Sequence, residues 1–305
     1  MKNLAPIVLF VYNRISHTKK TVDSLRKNEL AADSHLYIFS DGAKSNRDKD
    51  LVDEVRGFIS TIDGFKSVTI IKRESNFGLA DNIISGVSEV IQNYSKVIVL
   101  EDDIVCSKTF LIFMNKLLAE YETNNSIFSV TGYTFPIKIP DDYEFDVYLA
   151  SRASSWGWGT WLDRWEKVDW EVNDYQNFIK DKQAINDFNE GGEDLAAMLN
   201  EQMAGKIDSW SIIWTYSHFI NNAYCVYPVK SRVKNIGTDR SGTHIGKTKK
   251  FDVEIIEDIK ELKLIEQVQL DKRIMHNFKN FFSQNKIEIM LRKFLKILKD
   301  KSFCL

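Results

Sequence analysis

The chain has little cysteine, no long apolar run and no excess of either charge. Its three cysteines, Cys106, Cys225 and Cys304, are too few and too scattered for a disulfide framework or a zinc knuckle. Free thiols in a reducing, cytoplasmic compartment are therefore expected. No stretch reaches the roughly 18 apolar residues that a membrane-spanning helix needs. The about six apolar residues before Asn13 and Arg14 are too short for a signal-peptide core, so neither export nor membrane integration is expected. Lys and Arg total 41 against 43 Asp and Glu, which gives no reason to expect a nucleic-acid partner. There is no internal repeat and no linker. What remains is 305 residues, 44% hydrophobic and 28% charged, the composition of a folded soluble chain long enough for an enzyme.

Short Val- and Ile-rich apolar runs occupy residues 7–12, 36–39, 68–71 and 97–100, each followed by a polar turn. Continuous apolar strands are what a sheet buried on both faces requires. Between them, residues 18–27, 49–61 and 79–94 space apolar side chains at three and four, the pattern of amphipathic helices. Strand and helix in alternation predict an α/β fold, a mostly parallel sheet flanked by helices. Ligands in such sheets sit at the carboxyl ends of the strands. Asn13 and Arg14, then Asp41 and Gly42, then Arg73, Asn76 and Gly78, then Glu101, Asp102 and Asp103 follow the four strands. Carboxylates and arginines would thus converge on one edge, as a metal and an anionic ligand require.

The sequence beyond Ser129 is less regular. Residues 151–165, SRASSWGWGTWLDRW, hold four of the seven tryptophans, which fit either a buried aromatic cluster or a platform for an apolar sugar face. Residues 179–204 read as helical, and Asp208 reads as the cap of a second helix opening at DSWSIIW. A strand is predicted over 224–228 and a polar loop over 235–246. Residues 284–301 form a basic amphipathic pattern, six Lys and Arg against Glu288 and Asp300 among eight large apolar residues. This pattern fits a surface helix docked on the body or a helix lying on an anionic membrane surface.

Three adjacent carboxylates at a buried strand end repel one another unless a cation or hydrogen-bond donors compensate. Mg²⁺ or Mn²⁺ sharing diphosphate oxygens removes that cost. The order VYNR, FSDGAK, NFGLADNI, VIVLEDDIVCSKTF resembles the nucleotide-sugar half of GT-A fold glycosyltransferases, both family 2 and the N-acetylglucosaminyltransferase I group with its Glu-Asp-Asp metal motif. AGKIDSWSIIW and YPVKSRVKNIGTDRSGTH resemble bacterial GT-A transferases of surface-polysaccharide synthesis. The resemblance implies a nucleotide-sugar half over 1–135, an acceptor-binding and catalytic half of the same domain over 136–250, and a C-terminal helical extension over 251–305. It implies a metal-dependent, inverting hexosyl- or N-acetylhexosaminyltransferase using a nucleotide-diphosphate sugar, UDP-sugar favoured, and a glycan or lipid-linked acceptor at the inner membrane face.

Carried onto this sequence, the resemblance puts Tyr12, Arg14, Asp41, Arg73, Asn76, Asp81, Glu101 and Asp102 at the donor. Asp41 would accept from the base edge, and Asp103 would bind Mn²⁺ or Mg²⁺, joined by His244 unless that histidine is a surface residue. Asp208 would be the catalytic base, with Asp194 and Glu193 as rivals, and Trp156, Trp158 and Trp210 would form the sugar platform. Arg232, Lys234 and Arg240 could also meet phosphate. Two other classes stay open. A sugar-nucleotidylyltransferase would want a glycine-rich loop after the first strand, where VYNR has none. A non-catalytic or partner-dependent GT-A-like subunit would bind nucleotide without turnover. The aromatic middle and the C-terminal helix could each supply an oligomer interface.

Overall fold

A computed structural model of the chain describes residues 3–239, 248–258 and 261–283. The strands are β1 (Ile7–Val11), β2 (His35–Ser40), β3 (Ser67–Lys72), β4 (Lys96–Glu101), β5 (Ile104–Cys106), β6 (Ile127–Thr131), β7 (Val147–Ala150), β8 (Trp158–Trp161), β9 (Tyr224–Pro228) and β10 (Val233–Asn235). The helices are α1 (Ile15–Arg26), α2 (Asn46–Ile59), α3 (Leu79–Tyr94), α4 (Phe110–Glu120), α5 (Leu162–Trp165), α6 (Tyr175–Phe178), α7 (Lys182–Phe188), α8 (Leu195–Met203), α9 (Trp210–Ile220) and α10 (Lys272–Phe282).

Eight strands form one sheet in the order β3-β2-β1-β4-β8-β6-β9-β7, and β5 pairs with β10 in a separate ribbon. Strands β3, β2, β1 and β4 run parallel, with Ile7 opposite both Leu36 and Ile98. The second half of the chain extends the same sheet. There β8 is antiparallel to β4 and β6, β9 is parallel to β6, and β7 is antiparallel to β9. Every residue of β1 is buried, as a central strand covered on both faces requires. Helix α3 buries Ile83, Val87, Val90 and Ile91 against the sheet. It comes close enough to the strands that a Cβ on Gly86 would lie 2.8 Å from the Phe10 ring, so only glycine fits there.

The aromatic middle is largely foundation. Trp158, Trp165, Trp170, Trp210 and Trp214 stack as one cluster with ring centroids 4.9–5.8 Å apart. His218 lies at its edge, fully buried, 4.5 Å from Trp214. Its Nδ1–H donates to the Trp214 carbonyl at 2.8 Å, which leaves Nε2 to accept from Ser129 Oγ at 2.7 Å.

Two sequence expectations change. The helix expected over 179–204 is broken by a 3₁₀ turn and Gly192 into α7 and α8, because Gly192 adopts a φ of 140° that a continuing helix does not allow. Ser209, not Asp208, occupies the cap position of α9, which places Asp208 outside the helix. Helix α10 packs Ile274, Met275, Phe278 and Phe282 against Tyr148 and Tyr227. The basic stretch 284–301 lies outside the described residues, as does most of the polar loop, including Arg240 and His244.

Burial holds the His218 imidazole down to about 4. Above pH 6.5 it is neutral in both folded and unfolded chains. Below that, the unfolded chain binds a proton that the folded one refuses, so stability falls between pH 6.5 and about 4. The loss attributable to this residue is on the order of 3 kcal/mol. Urea unfolding across that range should show a flatter pH dependence in His218→Gln than in the wild type. Equal slopes would exclude His218 as its source.

Candidate active site

The carboxyl ends of β1, β2 and β4 open into a cavity of about 1400 Å³. Its far wall comes from the second half of the chain, through Arg152, Trp156, Asp194, Asp208 and Trp210. Phe251 and Phe282 close one end, brought there by the segment after residue 248 and by α10.

Charge compensation at the end of β4 comes from the neighbouring strand. Arg14 follows β1, and its carbonyl accepts from the backbone N–H groups of His17 and Thr18 as α1 begins. Its guanidinium engages both oxygens of Asp102, Nε at 3.3 Å from Oδ2 and Nη2 on Oδ1, and Nη2 also donates to Asp103 Oδ2 at 2.9 Å. Asp102 and Asp103 are both buried. Burial lowers the proton affinity of Arg14, but the charges of Asp102 and Asp103 outweigh it and hold the guanidinium above its ordinary range. Burial, then Asp103 and Asp102, push the Glu101 carboxyl up to about 8. Burial also pushes Asp102 up, against the opposing pull of Arg14. The turn is tied to α1, since Thr21 Oγ1 donates to the Asp102 carbonyl at 2.8 Å. A loop from the second half closes over it: Ile236 N–H donates to the Asp103 carbonyl at 2.9 Å, and a Cβ on Gly237 would fall 2.1 Å from Asp103 Oδ2.

Asp41 is differently used than the sequence reading expects. Its Oδ1 accepts from the N–H groups of Gly42 and Phe77, each at 2.8 Å, and its Oδ2 from Asn76 Nδ2 at 3.0 Å and Gly78 N–H at 3.1 Å. Four donors fill the acceptor sites of a carboxylate, so Asp41 shapes the loop before α3 and has no free acceptor for a base edge. Arg56, not singled out in the sequence, supports the same edge by donating to Ser40 Oγ and to the carbonyls of Asp41 and Arg73. Nothing in its local sequence marks it, because its partners are the ends of two strands.

Other expected site residues separate. Tyr12, Arg14, Asp41, Asn76, Glu101, Asp102 and Asp103 all line the cavity. Arg73 does not: it turns onto α3, donating to Asn82 Oδ1 at 3.2 Å and Ser85 Oγ at 3.1 Å, with its guanidinium over the Phe39 and Phe77 rings. Asp81 and Glu193 are exposed and outside the cavity lining. Trp158 is fully buried in the tryptophan cluster and presents no face to a sugar. Trp210 touches the cavity while 3% exposed, so Trp156 is the half-buried indole of the three. Trp156 packs on Tyr133 at 4.5 Å and Phe251 at 5.7 Å. Arg232 is buried, bound to Thr109 Oγ1 and the Asp258 carbonyl, and Lys234 is likewise outside the cavity lining.

The carboxylates proposed as base differ in availability. Asp194 is clamped by Arg152 through two hydrogen bonds of 2.7 and 3.0 Å. Arg152 in turn stacks over Phe282 at 3.8 Å. Asp208 is exposed, lines the cavity beside Gly78, and carries no hydrogen bond or ion pair among the described residues.

A family profile described as Glycosyl transferase family 2 matches residues 7–160. The chain belongs to glycosyl transferase family 2. Its sheet, with helices on both faces, is the GT-A fold of the sequence reading. No curated protein matches this family 2 chain. Among solved structures it is similar to the mannosyltransferase PcManGT from Pyrobaculum calidifontis in complex with GDP-Man and Mn²⁺, at 10% identity and a TM-score of 0.35, over 53% of this chain and 46% of that one. It is also similar to S. aureus TarS 1-349, at 10% identity and a TM-score of 0.41, over 75% of this chain and 59% of that one. The family 2 chain thus spans less than two thirds of either.

The donor set suits a hard cation. Asp102 and Asp103 present carboxylate oxygens that already hold the positive charge of Arg14, whose buried Nη1 has no hydrogen-bond partner among the described residues. No group of three or more His, Cys, Asp or Glu is gathered for a metal among the described residues. The protein would therefore supply few ligands and leave the rest to diphosphate and water, as Mg²⁺-type sites commonly do.

Removing the Asp41 carboxylate strands three backbone N–H groups and leaves the Asn76 amide only its bond to the Gly42 carbonyl, so Asp41→Ala should lower stability by about 3 kcal/mol or more in urea unfolding. Unchanged stability with lost nucleotide binding would restore Asp41 to the base edge.

Proposed function

We propose that this family 2 chain is a metal-dependent, inverting glycosyltransferase. It would move a hexosyl or N-acetylhexosaminyl group from a nucleotide-diphosphate sugar to a hydroxyl of a glycan or lipid-linked acceptor in bacterial surface-polysaccharide synthesis. The observation that carries the reading is one cavity whose lining brings Arg14, Asp102 and Asp103 from the sheet together with Asp208 from the second half of the chain, a carboxylate unpaired among the described residues. An inverting displacement needs these two features on opposite sides of the anomeric carbon. A UDP-sugar is the favoured donor, from the likeness of the first-half motifs to the N-acetylglucosaminyltransferase I group.

In this reading Tyr12, Asn76 and Glu101 border the nucleotide, while Asp41 keeps the Asn76–Gly78 loop in shape. Asp103 would hold Mn²⁺ or Mg²⁺, with His244 as a further ligand. A divalent ion there offsets negative charge on the departing diphosphate. Asp208 accepts the proton of the attacking hydroxyl at its carboxylate. Asp194 is the weaker base because Arg152 occupies both its oxygens. Trp156 offers its face to the acceptor sugar beside Phe251. The protein would work in the cytoplasm at the inner membrane face, with residues 284–301 on anionic lipid. Among the described residues no helix is long and apolar enough to cross a membrane.

The test separates the two walls. Asp208→Asn should keep Mn²⁺-dependent nucleotide binding by calorimetry and lose turnover by about 10²- to 10⁴-fold. Asp103→Asn should lose the Mn²⁺-dependent part of that binding. Equal loss of binding in both variants would contradict the division of roles.

A further inference from the structure

We propose that Arg14 is a built-in counter-ion that holds the cation position of the acidic turn until a diphosphate arrives, so that divalent metal and diphosphate bind with positive coupling. The inference rests on the reading that Asp103 takes the metal. Its backbone position is fixed, because the Arg14 carbonyl accepts from His17 N–H, Thr18 N–H and Thr18 Oγ1 at the start of α1. Only the side chain is free to choose partners. It now bridges both carboxylates, with Nη2 shared between Asp102 Oδ1 and Asp103 Oδ2.

Two further contacts make this arrangement a waiting one. Nη1 is buried and has no hydrogen-bond partner among the described residues, an unmet donor at the cavity wall. It also lies 3.1 Å from the point where a Cβ on Gly237 would stand, and that same point is 2.1 Å from Asp103 Oδ2. Arg14 and the 235–237 loop thus close over the oxygen that a metal would need. A divalent ion and a guanidinium on one carboxylate oxygen repel each other strongly in a partly buried site. A diphosphate supplies oxygens that Nη1 and Nη2 can bind, which releases Asp103 and screens the two cations from each other. Coupling of this kind is reciprocal, so each ligand must raise the affinity of the other.

Mn²⁺ binding to the full chain, followed by electron paramagnetic resonance of the free ion, tests the inference without turnover. In the absence of nucleotide, Arg14→Gln should bind Mn²⁺ at least about tenfold more tightly than the wild type. Arg14→Lys, which keeps the charge but not the bridging fork, should fall between them. Pyrophosphate, with its own Mn²⁺ complex measured separately, should raise Mn²⁺ affinity more in the wild type than in Arg14→Gln. If Arg14→Gln fails to fold, the Arg14→Lys comparison decides, and Mn²⁺ affinity no higher than in the wild type overturns the proposal. Wild-type-like affinity in folded Arg14→Gln also overturns it. The metal reading still stands if Asp103→Asn abolishes binding. Mn²⁺ binding unaffected by Asp103→Asn removes the metal reading and this inference together.

Discussion

The Arg14 guanidinium between Asp102 and Asp103 is the interaction on which the site depends. Parallel pairing of β1 with β4 sets the arginine and the acidic turn side by side, in a register fixed by their buried apolar residues. Without that neighbour, three consecutive carboxylates at a buried strand end would repel one another, and the turn would open or take up protons. The fold thus meets the electrostatic need of the acidic turn with an arginine from the neighbouring strand.

Around this turn the molecule divides into fixed and adaptable parts. The sheet and α3 are apolar and tightly packed, and Asp41 and Arg56 secure the ends of β2 and β3 by hydrogen bonds to backbone groups. The tryptophan cluster beneath the opposite wall supports the start of α9, and so positions Asp208 just before it. The remaining wall comes from segments far along the chain, Phe251 and Phe282 with Arg152, where the acceptor would lie.

Much of this was legible in the sequence because it is written in local periodicity. Helix α3 and strand β9 stand at residues 79–94 and 224–228 as expected, and the four parallel strands fall within two residues of their apolar runs. The rule that ligands gather at strand ends placed Arg14, Asn76 and the acidic turn on one cavity. It did not reveal the partners of those residues. Asp41 looked free because three of its four donors come from a loop some 35 residues later, and Arg73 looked like a ligand although α3 turns it aside. Trp158 and Trp156 are two residues apart on one segment, yet one is entirely buried and the other half-exposed; composition cannot distinguish them. Phe251 and Phe282 carried no local signal at all, since they reach the cavity only through tertiary packing.

The most direct measurement is a thermal-shift panel of UDP, GDP, dTDP and CMP with their sugar conjugates, each with and without Mn²⁺, because a ligand that binds only the folded chain raises its melting temperature. A shift for one nucleoside diphosphate that requires Mn²⁺ and is lost in Asp103→Asn is the expected result. No shift with any nucleotide, in a chain that melts cooperatively, would contradict the assignment of the cavity to a nucleotide-sugar donor.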